Sequence, residues 1–133
     1  MPRRVIVFAF IAVICGTLAC RRAAQAEADV AEREAQDLLI QYLRIDTSNP
    51  PGNETSGARF LQQVLVKEGI DAKLVGSDPK RQAVYARVSS GTNEKALLLL
   101  HHIDVVAVVP SEWTVPPFGG VRHQGYIWGR GAL

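Results

Sequence analysis

His102 and Asp104 stand two positions apart at the end of the apolar run Leu97-Leu98-Leu99-Leu100. In an extended segment, residues i and i+2 point to the same face. An imidazole and a carboxylate placed this way become neighbours. A carboxylate that accepts a hydrogen bond from one ring N–H fixes the tautomer and leaves the other nitrogen to bind a metal ion. The spacing suits equally a core histidine with an ordinary hydrogen-bonded partner, and the pair by itself leaves both readings open. His101 has no acid two positions on. It faces the other side of such a strand and is expected to be a core or helix-facing residue.

The remaining donors narrow the chemistry. The two cysteines of the 133-residue chain, Cys15 and Cys20, both lie near the amino terminus. Residues 27–133 therefore hold no thiolate ligand and no internal disulfide. A metal site there is built from His and carboxylates, which suits a hydrolytic zinc site with an exchangeable water better than a closed structural one.

The first 26 residues have the composition of a leader. Arg3 and Arg4 form a positive start, Val5 to Ala19 is an apolar run of signal-peptide length, and Ala24-Gln25-Ala26 is a small-residue cleavage site. Export, to the periplasm or outside the cell, is the expectation. Thr17-Leu18-Ala19-Cys20 offers an alternative, a lipid anchor on Cys20, although Thr17 stands where a leucine is usual. An uncleaved membrane anchor is the remaining reading. Four of the fifteen basic residues and none of the thirteen acidic ones fall in this leader, so the rest carries a net charge of −2 rather than the whole chain's +2. The basic pI of the complete chain gives no support to nucleic-acid binding.

Residues 27–133 must position the pair. Glu27 to Ile45 is expected to be an amphipathic helix with Leu38, Leu39, Tyr42 and Leu43 on its apolar face. Thr47-Ser48-Asn49-Pro50-Pro51-Gly52 stops it. A second helix is expected from Glu54 or Thr55 to Lys67 or Glu68, with Phe60, Leu61, Val64 and Leu65 inward and Gly69 as its stop. Strands are expected over Ile70 to Val75, Gln82 to Val88 and Lys95 to His101. The last is apolar on both faces, as in a sheet interior covered by helices. Pro110 to Gly120 reads as a loop, and Val121–His123 with Tyr126–Trp128 as a hairpin around Gln124-Gly125. The fold class is α/β, helices packed on a mixed sheet.

Four segments, in order, carry a family resemblance. These are Asp46-Thr47-Ser48-Asn49-Pro50-Pro51-Gly52-Asn53-Glu54, the His102-Ile103-Asp104 pair, Pro110-Ser111-Glu112-Trp113-Thr114-Val115-Pro116-Pro117-Phe118-Gly119-Gly120, and Gly125-Tyr126-Ile127-Trp128-Gly129-Arg130-Gly131-Ala132-Leu133. From about Ala31 onward the chain resembles the amino-terminal part of an M20 metallopeptidase, a family of zinc exopeptidases and amidohydrolases. The resemblance implies that His102 binds one of two zinc ions and that Asp104 orients it. It implies a substrate of the small-peptide or N-acyl amino acid kind, and a homodimeric full-length parent. In the family an aspartate bridging the two zincs follows a Gly-Arg-Gly-Ala-x segment, which here is Gly129 to Leu133. The bridging aspartate, the general-base glutamate and the other ligands are thus expected beyond Leu133. Residues 27–133 are expected to be an incomplete amino-terminal part of the zinc-exopeptidase catalytic domain, inactive and marginally stable alone.

The full-length parent is expected to be an exported, carboxypeptidase-like hydrolase of amide bonds. The alternative is a non-catalytic binding or structural module of the cell envelope. For other residues the two readings stand side by side. Gly129 and Gly131 either bring the backbone close to the metal centre or form an ordinary turn. Trp113, Phe118, Tyr126 and Trp128 are expected to pack the loop rather than touch substrate. His123 is expected to be solvated, and Arg130 to pair with a carboxylate or cap the loop. No chemical role for Asn49-Pro50-Pro51-Gly52 follows from the residues.

Overall fold

A computed structural model describes the backbone of residues 3–132 and the side chains of residues 21–132. The side chains of Arg3, Arg4 and Val5–Ala19, together with Cys15 and Cys20, and all of Leu133, lie outside the described residues. The elements in chain order are α1 (Arg3–Leu43), β1 (Ser48–Asn49), α2 (Glu54–Lys67), β2 (Ala72–Val75), β3 (Ala83–Ala86), β4 (Val105–Val106), β5 (Val121–His123) and β6 (Tyr126–Trp128), with a 3₁₀ turn at Pro110–Glu112. The chain divides into two compact units, residues 1–38 and 39–133.

The first unit is helical. It begins well before the expected Glu27, because the Ala-, Glu-, Arg- and Gln-rich segment around residues 21–37 consists of strong helix formers. Its exposed surface carries side-chain bonds at i, i+4 spacing, Gln25 to Asp29 at 2.7 Å and Gln36 to Glu32 at 3.0 Å. Among the described residues no helix is long and apolar enough to cross a membrane.

The second unit holds the core. Ile40, Leu43, Ala58 and Ala72 are buried, together with the polar Thr47, Glu54 and Thr55. Of the stripe expected on the first helix, Leu43 is buried and Tyr42 half-buried, whereas Leu39 is exposed and Ile40 takes its place. Tyr42 stacks on Phe60 of α2, with ring centroids 6.0 Å apart and planes 20° apart.

The second helix falls where the sequence puts it. Its amino-terminal end is tied to the segment before β3. Glu54 accepts from Arg81 at 2.8 and 3.0 Å, the Thr55 amide donates to the Lys80 carbonyl at 3.0 Å, and the Gln82 amide donates to Thr55 Oγ1 at 2.9 Å. Its other end closes through Gly69, whose φ is +76°. The Gly69 amide donates to the Val66 carbonyl and the Ile70 amide to the Leu65 carbonyl, the bonding pattern of a helix stop that needs a left-handed residue. Gly57 lets α2 approach its neighbours closely: a Cβ there would lie 2.8 Å from Ile103 Cγ2 and 3.3 Å from the Tyr42 ring.

Strand pairing is of both kinds, which fits the α/β class, but it is spread over three two-stranded sheets. β2 and β3 pair antiparallel with Ala72 opposite Ala86, and β5 and β6 pair antiparallel with Val121 opposite Trp128. β1 and β4 run parallel, with Ser48 opposite Val105 and Asn49 opposite Val106.

The expected strand from Lys95 to His101 does not form. Leu97, Leu98, Leu99 and Leu100 are between 77% and 86% exposed, and no strand among the described residues pairs with them. A strand apolar on both faces is stable only with neighbours on its edges and helices over both faces. Sequence pattern reports the demand for that cover, and the described residues do not supply it. His101, expected in a core, is accordingly exposed.

Two outcomes follow. Gly57→Val inserts a branched side chain into contact with Ile103 and Tyr42, and overpacking of this kind costs about 2 kcal/mol. Thermal denaturation followed by circular dichroism should show the variant melting lower, by roughly 10 °C for a unit of this size. Contiguous exposed apolar surface promotes association, so the Leu98→Lys, Leu100→Lys double variant should scatter less light than the parent at equal concentration. Equal scattering would show that the leucine run does not drive association.

Candidate functional site

The pair His102 and Asp104 is held by the turn after α1. The Val105 amide donates to the Thr47 carbonyl at 3.2 Å, and Thr47 Oγ1 donates to the Ile103 carbonyl at 2.9 Å. These bonds continue into the parallel pairing of β1 and β4 and fix the backbone on both sides of Asp104. Thr47 is 4% exposed, so its hydroxyl and carbonyl are spent on this contact rather than on water.

The two side chains meet as the spacing required, though in a loop ahead of β4 rather than on a long strand. His102 Nδ1 lies 2.8 Å from the Asp104 carbonyl and 3.2 Å from Asp104 Oδ1. A carbonyl oxygen only accepts, so Nδ1 carries the proton. In the neutral ring Nε2 then presents its lone pair. The His102 side chain is 83% exposed and that of Asp104 36% exposed, so the pair opens toward solvent instead of lying in a core.

Asp104 has a second partner. Asn49 Nδ2 donates to its other oxygen, Oδ2, at 3.0 Å. This amide is the main reason the Asp104 carboxyl is held below its ordinary value. The hydrogen bond and charge of His102 act in the same direction, and desolvation acts against them. Asn49 is the residue that sequence reasoning left without a role. It lies 55 positions from Asp104, and no local spacing rule reaches that far. The available signal was its place in the segment Asp46 to Glu54, directly before two prolines.

A cavity of about 290 Å³ opens beside the pair, with Tyr42, Thr47, His102, Asp104, Arg130 and Gly131 among its walls. The Tyr42 hydroxyl is buried with no partner among the described residues, and burial pushes its pKa up. Gly131 brings the last described segment against the site: at φ +84°, a Cβ there would lie 2.6 Å from Val105 Cγ1. The close approach expected of this glycine is therefore to β4.

Arg130 caps the loop. Its amide donates to the Pro117 carbonyl at 2.7 Å, and its guanidinium lies 5.0 Å from the centre of the Trp113 ring. Its Nε is buried with no partner among the described residues. Trp113 thus packs the loop as expected. Trp128 packs within the hairpin, with Nε1 donating to the His123 carbonyl at 3.2 Å, while Tyr126 is 72% exposed and packs little. His123 is exposed, as expected.

His102, with Nδ1 committed to Asp104 and Nε2 open, has the chemistry of one protein ligand. Among the described residues no group of three or more His, Cys, Asp or Glu side chains comes together to enclose an ion. The fit is to a single ligand position.

No family model matches the chain. Curated proteins do match it. It is 58% identical over 118 residues to the N-fatty-acyl-amino acid synthase/hydrolase PM20D1 of Xenopus tropicalis, covering 79% of this chain and 22% of that protein. The mouse (Mus musculus) protein of the same name is 32% identical over 124 residues, covering 80% of this chain and 22% of the relative. Aminoacylase-1 of Sus scrofa is 35% identical over 104 residues, covering 76% and 25% respectively. The chain spans about a quarter of the length of the curated relatives it matches. With most of its own length accounted for by such matches, the chain belongs to the M20 peptidase family.

Proposed function

We propose that residues 27–133 are the amino-terminal part of the catalytic domain of an exported, metal-dependent amidohydrolase acting on N-acyl amino acids or small peptides. The observation that carries this reading is the His102–Asp104 pair. The carbonyl and carboxylate of Asp104 accept from Nδ1, and Nε2 stays open. The names of the relatives favour the substrate class, since they are a hydrolase of N-fatty-acyl amino acids and an aminoacylase. The Asp46–Gly52 and Pro110–Trp113 segments favour carboxypeptidase-like cleavage within that class.

In this reading His102 is a metal ligand and Asp104 its orienting carboxylate. Zinc bound there supplies Lewis-acid polarisation of the scissile carbonyl. The chain's own contribution is to keep His102 in one tautomer and to hold Asp104 ionised. The remaining ligands and the general base belong to the rest of the parent protein, as does the surface that makes it a homodimer. Residues 1–26 serve as the export leader, with cleavage after Ala26 and lipid attachment at Cys20 as the two routes of maturation.

Replacement of His102 by alanine in the complete protein should remove bound zinc and lower kcat/KM for an N-acyl amino acid by more than about 100-fold, beyond the loss typical when only an outer partner of a ligating histidine is removed. Wild-type zinc content and turnover would overturn the proposal and favour the envelope-module alternative. The 133-residue chain alone should show less than one equivalent of zinc after dialysis, because one His is too few ligands for a catalytic ion. Stoichiometric, dialysis-resistant zinc would contradict this.

A further inference from the structure

We propose that Asn49 is a positioning residue for the His102–Asp104 pair: its side-chain amide holds Asp104 Oδ2 so that Oδ1 faces His102 Nδ1. The inference rests on the reading of His102 as a metal ligand and adds a residue that the reading does not require.

The geometry divides the labour on the Asp104 carboxylate. One oxygen, Oδ2, accepts from Asn49 Nδ2 at 3.0 Å, and the other, Oδ1, lies 3.2 Å from His102 Nδ1. A carboxylate with one donor is free to rotate about its terminal torsion, whose well is broad. Donors on both oxygens fix the plane of the group. Asn49 is itself fixed, because it sits in β1 opposite Val106, and β1 is stitched to β4 through Thr47. The amide therefore reaches Asp104 from backbone registered against Asp104's own segment.

Asn rather than a cation suits this position. A Lys or Arg would bind the carboxylate more strongly but would place a positive charge near a site intended for a metal ion. A neutral donor steadies the carboxylate and leaves its negative charge available to His102. An Asp at residue 49 would keep the shape and lose the donor.

The turn that follows β1 holds Asn49 in place without help from Asp104. The Gly52 amide donates to the Ser48 carbonyl at 2.9 Å, and the Ser48 amide donates to Asp46 Oδ1 at 2.9 Å. Removing the Asn49 side chain therefore leaves the backbone path supported. A loss on substitution then reports on the amide and not on the turn.

The test measures zinc affinity by competition with a chromogenic chelator in the complete protein, alongside thermal melting. The variants are Asn49→Asp, Asn49→Ala, Gln62→Ala and His102→Ala. Outer partners of ligating histidines typically contribute tenfold to a hundredfold in metal affinity, so both Asn49 variants should bind zinc at least about tenfold more weakly. Gln62→Ala removes a side-chain bond to the Ala72 carbonyl, away from the site; it should melt lower yet bind zinc within about twofold of the parent. Asn49 variants that fold and bind zinc like the parent would overturn the inference. Failure of both Asn49 variants to fold while Gln62→Ala folds would also overturn it, because Asn49 would then be a determinant of the fold. Unchanged zinc binding by His102→Ala is a separate result. It would remove the metal-ligand reading itself, whatever the Asn49 variants do.

Discussion

The parallel contact between residues 47–49 and 103–106 is the constraint on which the site depends. It is short, two paired residues on each side, but it is doubled by the Thr47 hydroxyl on the Ile103 carbonyl and by the Asn49 amide on Asp104. Parallel strands must be brought together from distant parts of the chain. Here the intervening chain includes α2, β2 and β3. Those elements pack as a helix on a hairpin and bring Ile103 against Gly57. The chemistry-bearing pair is therefore positioned by contacts remote in sequence, while the contact between His102 and Asp104 themselves is local.

Electrostatics at the site follow from this arrangement. The Asn49 hydrogen bond lowers the Asp104 pKa most; desolvation opposes it, and the hydrogen bond and charge of His102 add to the lowering, so the net shift is downward. An ionised acceptor forms stronger hydrogen bonds than a neutral one. The carboxylate, once charged, thus tightens both the contact to Asn49 and the contact to His102. Protonation would weaken both together. Tyr42 shows the opposite balance: its hydroxyl is buried with no partner among the described residues, and desolvation raises its pKa.

Much of this was legible in the sequence, for reasons that differ between elements. The second helix could be placed from its apolar period and from Gly69, because its stop is a local backbone requirement. The Val121–Trp128 hairpin could be placed because a two-residue turn sets its own register. The His102–Asp104 contact was legible because a separation of two is short enough for backbone geometry to decide it. The Asn49–Asp104 bond was not, since it depends on a parallel register that no local pattern encodes. The leucine run misled in an instructive way. Leu97–Leu100 has the composition of a covered strand, and composition states what a segment needs, not whether its neighbours are present. His101 was misassigned with it. On the first helix the apolar period was right, yet the face was rotated by one position, with Ile40 inward and Leu39 outward, because adjacent apolar residues leave that choice to packing.

Arg130 fastens the stretch Pro110–Gly120 twice, by its amide on Pro117 and by its guanidinium over Trp113. Its neighbour Gly131 lies against Val105 with no room for a side chain. These attachments couple the outer loop to the inner strand like the two arms of a lever. Val105 opens β4 and directly follows Asp104. A side chain at residue 131 would therefore have to displace the residue beside the acid before it could be housed.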